Sequence, residues 1–414
     1  MSMTAYINAR LIDPASGLDT KGTLVTEGEK IKAFGADETA PEGAKVVDCK
    51  GRILCPGFID MRAHRVDAEA ALKGGITTVI LQPDQTTVID TDAVVERIRR
   101  RSEDSETVNV FPMGTATRGM QGSQIAEIGQ MMQSGAVGFT DCRTPVSDSQ
   151  VMRRLLEYSG HFDALIVQFA EDKSLASGAV AHEGEIATRL GLSGVPAAAE
   201  VIQIERDCRL AELTDARIHF ALISSREGVD AIRSAKKRGV RATCSVAPHY
   251  LHLNDNALEG YRTFAKVRPP LRSEEDRLAL IAGLADGTID TLVSDHDPKS
   301  ADVKRLPFGQ AAEGVVGFET MLPLALAQVH AGKLELMTLL RALTSTPADL
   351  LRLPMGRLKE GVQADLVIFD PEKPWRISQD DLVSSAKNMP FDTLPVQGQV
   401  WQTVVAGKPL YTAA

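Results

Sequence analysis

RIHFALISSREGVDAIRSAKKRGVRATCSVAP, residues 217–248, holds the repeating unit of the fold. RIHFALIS (217–224) is an almost unbroken apolar run, the texture of a strand covered on both faces of a parallel sheet. EGVDAIRSAKKRG (227–239) changes to helical spacing, with Val229, Ile232 and Ala235 on one face and Gly239 as the stop. RATCSVAP (241–248) returns to the strand texture. Working outward, apolar strands of the same kind recur at 53–61, 76–82, 108–114, 136–141, 164–171 and 289–295, and helical segments follow most of them. One of these, SEEDRLALIAGLADG (273–287), opens on a capping-box pattern, Ser273 with Asp276. Eight such units predict an α/β chain closed into a (β/α)8 TIM barrel.

The two ends read differently. AYINARLID, GTLVTEG, KIKAFG and AKVVDC near the start, and ADLVIFD and QTVVAGKPLY near the finish, are short β-like runs separated by turns. Neither end has enough strands for a stable sheet of its own. The expected organisation is a barrel over 53–355, with residues 1–52 and 356–414 pairing into one small β-sandwich.

Composition excludes several classes of function. A net charge of -9 opposes binding to nucleic acid or to an anionic membrane, which both call for a basic face. No apolar run reaches the roughly 18 residues of a membrane span, and MSMTAYINARLIDP lacks the basic and apolar regions of a signal peptide. Cys49, Cys55, Cys142, Cys208 and Cys244 are scattered and never spaced as CxxC, so they read as reduced packing thiols of a cytoplasmic protein.

In a barrel of this type the chemistry sits where strands end. Those positions are Asp60-Met61-Arg62-Ala63-His64, Phe139-Thr140-Asp141, Phe169-Ala170-Glu171-Asp172, Leu222-Ile223-Ser224, Pro248-His249-Tyr250 and Ser294-Asp295-His296-Asp297-Pro298-Lys299. PGFIDMRAH, GLSGVPAAAEVIQIERDCRLAELT, HFALISS, VAPHYLHL, KVRPPLRSEEDRLAL, DGTIDTLVSDHDPKS, GVVGFET and KEGVQADLVIFD, in this order, resemble the type I dihydroorotases of the amidohydrolase superfamily, from about residue 5 to residue 410. The resemblance implies a metal-dependent hydrolase of cyclic amides that interconverts carbamoyl-aspartate and dihydroorotate in pyrimidine biosynthesis. It also implies association with aspartate transcarbamoylase and homo-oligomer formation.

The departures from the family pattern are concentrated at the metal. The resemblance places ligands at Arg62, His64, Asp141, Phe169 and Leu222, and a catalytic carboxylate at Asp295. His64, Asp141 and Asp295 keep a suitable side chain; Arg62, Phe169 and Leu222 are degenerate. Zinc takes N, O or S donors at about 2.0–2.3 Å, and phenyl and isobutyl groups offer none. A guanidinium about 4 Å from a dication would cost about 8 kcal/mol at an effective dielectric of about 20.

Substrate positions depart as well. Val66 stands where an arginine is expected, with Arg65 one place out of register. Asp84 and Arg268 stand for asparagines, and Lys299 for a histidine. Gly75 follows Val66 by only nine residues, so the loop after the first ligands is shortened. His249 and His296 lie in matched motifs but not at ligand positions.

The expectation is therefore a non-catalytic dihydroorotase homologue with no metal cofactor and a vestigial Asp295, acting as a structural partner of aspartate transcarbamoylase. Arg62 would supply the charge that the metals once supplied to Asp141 and Asp295. Arg65, Arg268 and Lys299 are candidates for an anion pocket at the mouth. The alternative is an active dihydroorotase or cyclic-amide hydrolase with a mononuclear zinc on His64, Asp141 and Asp295.

Overall fold

The computed structural model describes residues 2–413. Eight parallel strands form the barrel: Phe58–Ala63, Ile76–Leu81, Asn109–Pro112, Phe139–Thr140, Ile166–Phe169, Ile218–Ala221, Ala242–Val246 and Thr291–Leu292. The first three pair with one another, as do the last five. Bridges Gly114↔Phe139 and Ala63↔His296 join the two arcs into a ring. The first, second, fifth and sixth strands are buried along their whole length, which explains why they read as continuous apolar runs rather than alternating ones.

The helices follow their signals. Arg226–Lys237 starts where the Ser225 hydroxyl accepts from the Gly228 N–H, and it buries Val229, Ile232 and Ala235 against the barrel. Glu274–Ala285 carries the complete Ser273/Asp276 capping box. No helix of the described residues is long and apolar enough to cross a membrane.

Both chain ends do meet, in one eight-stranded sheet with its own small core of Tyr6, Leu11, Leu24, Leu54, Leu366 and Ile368. The expected first barrel strand at 53–61 is corrected here, because it breaks in two at Gly57. Ile53–Pro56 belongs to the terminal sheet, parallel to Met3–Asp13 and antiparallel to Leu366–Arg376. Only Phe58–Ala63 enters the barrel. The reason is local crowding: a Cβ on Gly57 would lie 2.2 Å from the Thr77 side chain, so only glycine lets the chain pass between the two sheets.

Two buried carboxylates rivet the mouth. Asp60 accepts from the Ser294 N–H (2.9 Å), the Ser294 hydroxyl (2.5 Å) and the Arg62 N–H (3.2 Å), tying the first strand to the end of the eighth. Glu200, on the helix Ala197–Thr214, accepts from the N–H and hydroxyl groups of Ser224 and Ser225. Burial pushes the Asp60 carboxyl up to about 6 against those hydrogen bonds. A raised carboxyl favours folding most when protonated, and that contribution is lost as pH rises from about 3.9, the unfolded value, toward 6. Asp60→Asn replaces one acceptor oxygen by a donor facing donors. It is expected to lower stability at pH 7 by about 1–3 kcal/mol in urea unfolding.

Candidate active site

The first strand delivers Arg62 and His64, the second is followed by Asp84, the fourth by Asp141, Cys142 and Arg143, and the eighth by Asp295 and Asp297. Asp295 is fully buried and Arg62 is 2% exposed. Arg62 Nε donates to Asp295 Oδ1 at 2.8 Å, and its Nη1 reaches Gln82 Oε1 at 3.4 Å. Asp295 Oδ2 faces Arg143 Nη2 at 3.4 Å, and Arg143 Nη1 donates to Asp297 Oδ2 at 2.7 Å. Lys299 Nζ closes the chain of charges on Asp297 Oδ1 at 2.8 Å. Burial opposes an ionised Asp295, but the Arg143 charge foremost, with Arg62 and His64, overcomes it and holds this carboxyl far below the usual carboxylate range.

Arg62 thus takes the electrostatic place expected of it toward Asp295, but not toward Asp141. The Asp141 carboxylate accepts from the N–H groups of Ala116 (3.0 Å) and Thr117 (2.9 Å) and from the Thr117 hydroxyl. These donors come from the loop after the third strand, and burial still pushes the Asp141 carboxyl up against them. Phe169 and Leu222 are buried carbon surface, each 1% exposed, where imidazoles are expected. Leu222 has φ 58° and Asp295 φ 48°, a left-handed backbone that is costly for a leucine. The backbone at 222 is left-handed although its side chain brings no donor.

The three cations expected to form an anion pocket do not gather. Arg65 is exposed. Arg268 is held by Glu171 and Glu313, and Lys299 by Asp297. His296 is a packing residue, stacked on Phe318 at 3.8 Å and bound to Asp67 at 3.1 Å. His249 is buried against Tyr250, and burial lowers its pKa to about 4. Beneath Arg62 lies a cavity of about 10 Å³, room for about one water. The largest cavity, about 710 Å³, lies at the opposite end of the barrel, where Asn109, Phe139, Leu165 and Arg217 sit at or near the starts of their strands, away from this chemistry.

Nor do His64, Asp141 and Asp295 make a metal-ligand set. The donors that do converge are those of His64, Asp84 and Cys142, all within 4.8 Å of one another. His64 Nδ1 lies 2.6 Å from Asp84 Oδ2. Tested against a dinuclear centre, the mouth does not fit: two ligand positions are hydrocarbon and a third is a committed guanidinium. Arg143 escaped the sequence reading, and Cys142 was read there only as a packing thiol. The available signal was their place directly after Asp141 on the same strand end.

The dihydro-orotase-like family matches residues 51–228, and an amidohydrolase family matches residues 324–411. A dihydroorotase of Anaplasma phagocytophilum is 42% identical over 99% of this chain and 95% of its own length. One of Pelobacter propionicus is 40% identical over 98% of each. Among solved structures, L-hydantoinase (dihydropyrimidinase) from Arthrobacter aurescens superposes with a TM-score of 0.88 at 25% identity, covering 100% of this chain and 98% of that one. Dihydropyrimidinase from Brevibacillus agri does so with a TM-score of 0.82 at 20% identity, covering 99% of this chain and 95% of that one.

Arg62→Met leaves Asp295 buried with one strong partner fewer. The expected loss is about 3–5 kcal/mol, and Asp295→Leu in the same chain should recover a large part of it. A double-mutant cycle by urea unfolding measures the coupling. Because the Asp295 carboxyl is depressed, its contribution is complete above the unfolded value of about 3.9 and is lost only as pH falls toward the folded value. The deficit should therefore be equal at pH 6 and pH 8.

Proposed function

The chain belongs to the dihydroorotase-like family of amidohydrolases, and on that premise we propose that it is a non-hydrolytic member in which an internal ion pair stands where a dinuclear metal centre is expected. The observation that carries this reading is the Arg62–Asp295 contact, 2.8 Å between two buried side chains. Hydrolysis of a cyclic amide in this fold calls for a metal-activated water and a carboxylate that receives its proton. Asp295 has both oxygens facing arginines and a carboxyl held far below neutral, so it is a poor proton acceptor at working pH. Phe169 and Leu222 bring no donor, and the Arg268–Glu171 and Lys299–Asp297 pairs occupy cations that a substrate carboxylate would need.

Such a protein serves pyrimidine biosynthesis through its scaffold. In this reading it is a cytoplasmic homo-oligomer and a structural partner of aspartate transcarbamoylase. The support is the intact barrel and terminal sheet around a rebuilt mouth. Size-exclusion chromatography of the two proteins mixed at micromolar concentration should give one joint peak; two independent peaks would reject the partnership.

A second reading is favoured by one observation. Relatives about 40% identical over nearly the whole chain are called dihydroorotases, which supports an active cyclic-amide hydrolase working with a single zinc. Assay of dihydroorotate and carbamoyl-aspartate interconversion, on protein supplied with zinc, separates the two. The first reading expects no turnover above the uncatalysed rate. Turnover abolished by a chelator and restored by zinc would establish the second.

A further inference from the structure

We propose that His64, Asp84 and Cys142 form a mononuclear zinc site at the barrel mouth, built from a donor set different from the one the resemblance implies. Two of the three, Asp84 and Cys142, stand outside the ligand positions discussed above. The inference does not depend on whether the chain hydrolyses anything.

The geometry comes from three strand ends brought side by side. His64 follows the first strand, Asp84 the second and Cys142 the fourth. Their donor atoms lie within 4.8 Å of one another. Ligands at about 2.0–2.3 Å in a tetrahedral site are about 3.5 Å apart, so the cluster needs only small side-chain adjustments around an ion. One imidazole, one carboxylate and one thiolate suit the borderline-soft zinc ion better than calcium or magnesium, which prefer oxygen alone. Three protein ligands leave a fourth position for water.

A second observation concerns the far side of the imidazole. His64 Nε2 is buried without a hydrogen-bond partner among the described residues, and it faces Asp295 Oδ1 at 3.6 Å. A histidine that gives one ring nitrogen to a metal typically donates the other N–H to a carboxylate. Asp295 stands in that place, and it in turn is fixed by Arg62 and Arg143. Both arginines whose charges reach Asp84, Arg62 and Arg143, are thus already paired with carboxylates, which reduces their repulsion of a cation. Binding forms Zn–N, Zn–O and Zn–S bonds, breaks the His64–Asp84 hydrogen bond and releases the Cys142 thiol proton to solvent. Asp84 and the new thiolate together balance the two charges of the ion.

The test is spectroscopic and needs no turnover. The full-length protein, stripped with chelator under reductant, is titrated with Co²⁺ and then with Zn²⁺. The expected result is a near-ultraviolet thiolate-to-cobalt charge-transfer band that saturates at one Co²⁺ per chain and is bleached by Zn²⁺. Cys142→Ala should abolish the band, and Cys142→Gly, which suits the φ of 55° at this position, should do so if the alanine variant fails to fold. Asp84→Ala should weaken cobalt binding by more than about tenfold, while Cys208→Ala, a distant buried thiol, should leave the band intact. Absence of the band in the native chain, or its survival in a folded Cys142 variant, overturns the site. Neither result alters the turnover assay that judges the hydrolytic readings.

Discussion

A buried carboxylate at the C-terminal end of a barrel must meet positive charge, and the mouth of this protein is organised around how Asp295 does so. Desolvating one ion costs several kcal/mol unless a well-placed counter-charge is near. Arg62 meets Asp295 through Nε, and Arg143, from the loop after the fourth strand, reaches across to bridge Asp295 and Asp297. An arginine suits this task better than a lysine, because its planar fork keeps several fixed donors and a permanent charge in a dry site. Once both arginines are committed, the carboxylate has little capacity left to accept a proton. In the non-hydrolytic reading proposed above, the same contact that stabilises the mouth also withholds the carboxylate from proton transfer.

The backbone around this pair keeps the form of the fold. Leu222 and Asp295 both have a left-handed conformation. Asp60 still clasps Ser294, and Glu200 still holds Ser224 and Ser225. A leucine gains nothing from positive φ; it is carried there by the strand end and by the ring of hydrogen bonds on either side. Side chains at the mouth can differ while the scaffold holds, because these hydrogen bonds are made by other residues than Arg62, Phe169 and Leu222. This agrees with superposition on hydantoinases at a TM-score of 0.88 despite only 25% identity.

Vacated ligand positions do not leave an empty pocket. Phe169 and Leu222 fill their volume with hydrocarbon, Arg268 and Lys299 are drawn to carboxylates of the same chain, and Asp141 turns to the loop at Thr117. Each is the cheapest local solution for an atom that has lost a partner: an apolar group packs, a cation pairs, and a carboxylate takes N–H donors. His64, Asp84 and Cys142 converge at the same mouth. It brings together donors that are 20 and 78 residues from His64 along the chain.

Periodicity and motif order were enough to read the barrel, its flanking helices and the meeting of the two chain ends, because burial on both faces and helical spacing leave marks in contiguous residues. The lack of a donor side chain at Phe169 and Leu222 was equally legible, since no fold can make a metal donor of a phenyl or an isobutyl group. The partner each surviving group would choose was not. Asp141 settling on Thr117, Arg143 inserting between Asp295 and Asp297, Cys142 joining His64, and the break at Gly57 are contacts between residues remote in sequence. They depend on ångström-scale placement of strand ends after the barrel closes, and only the tertiary structure fixes that.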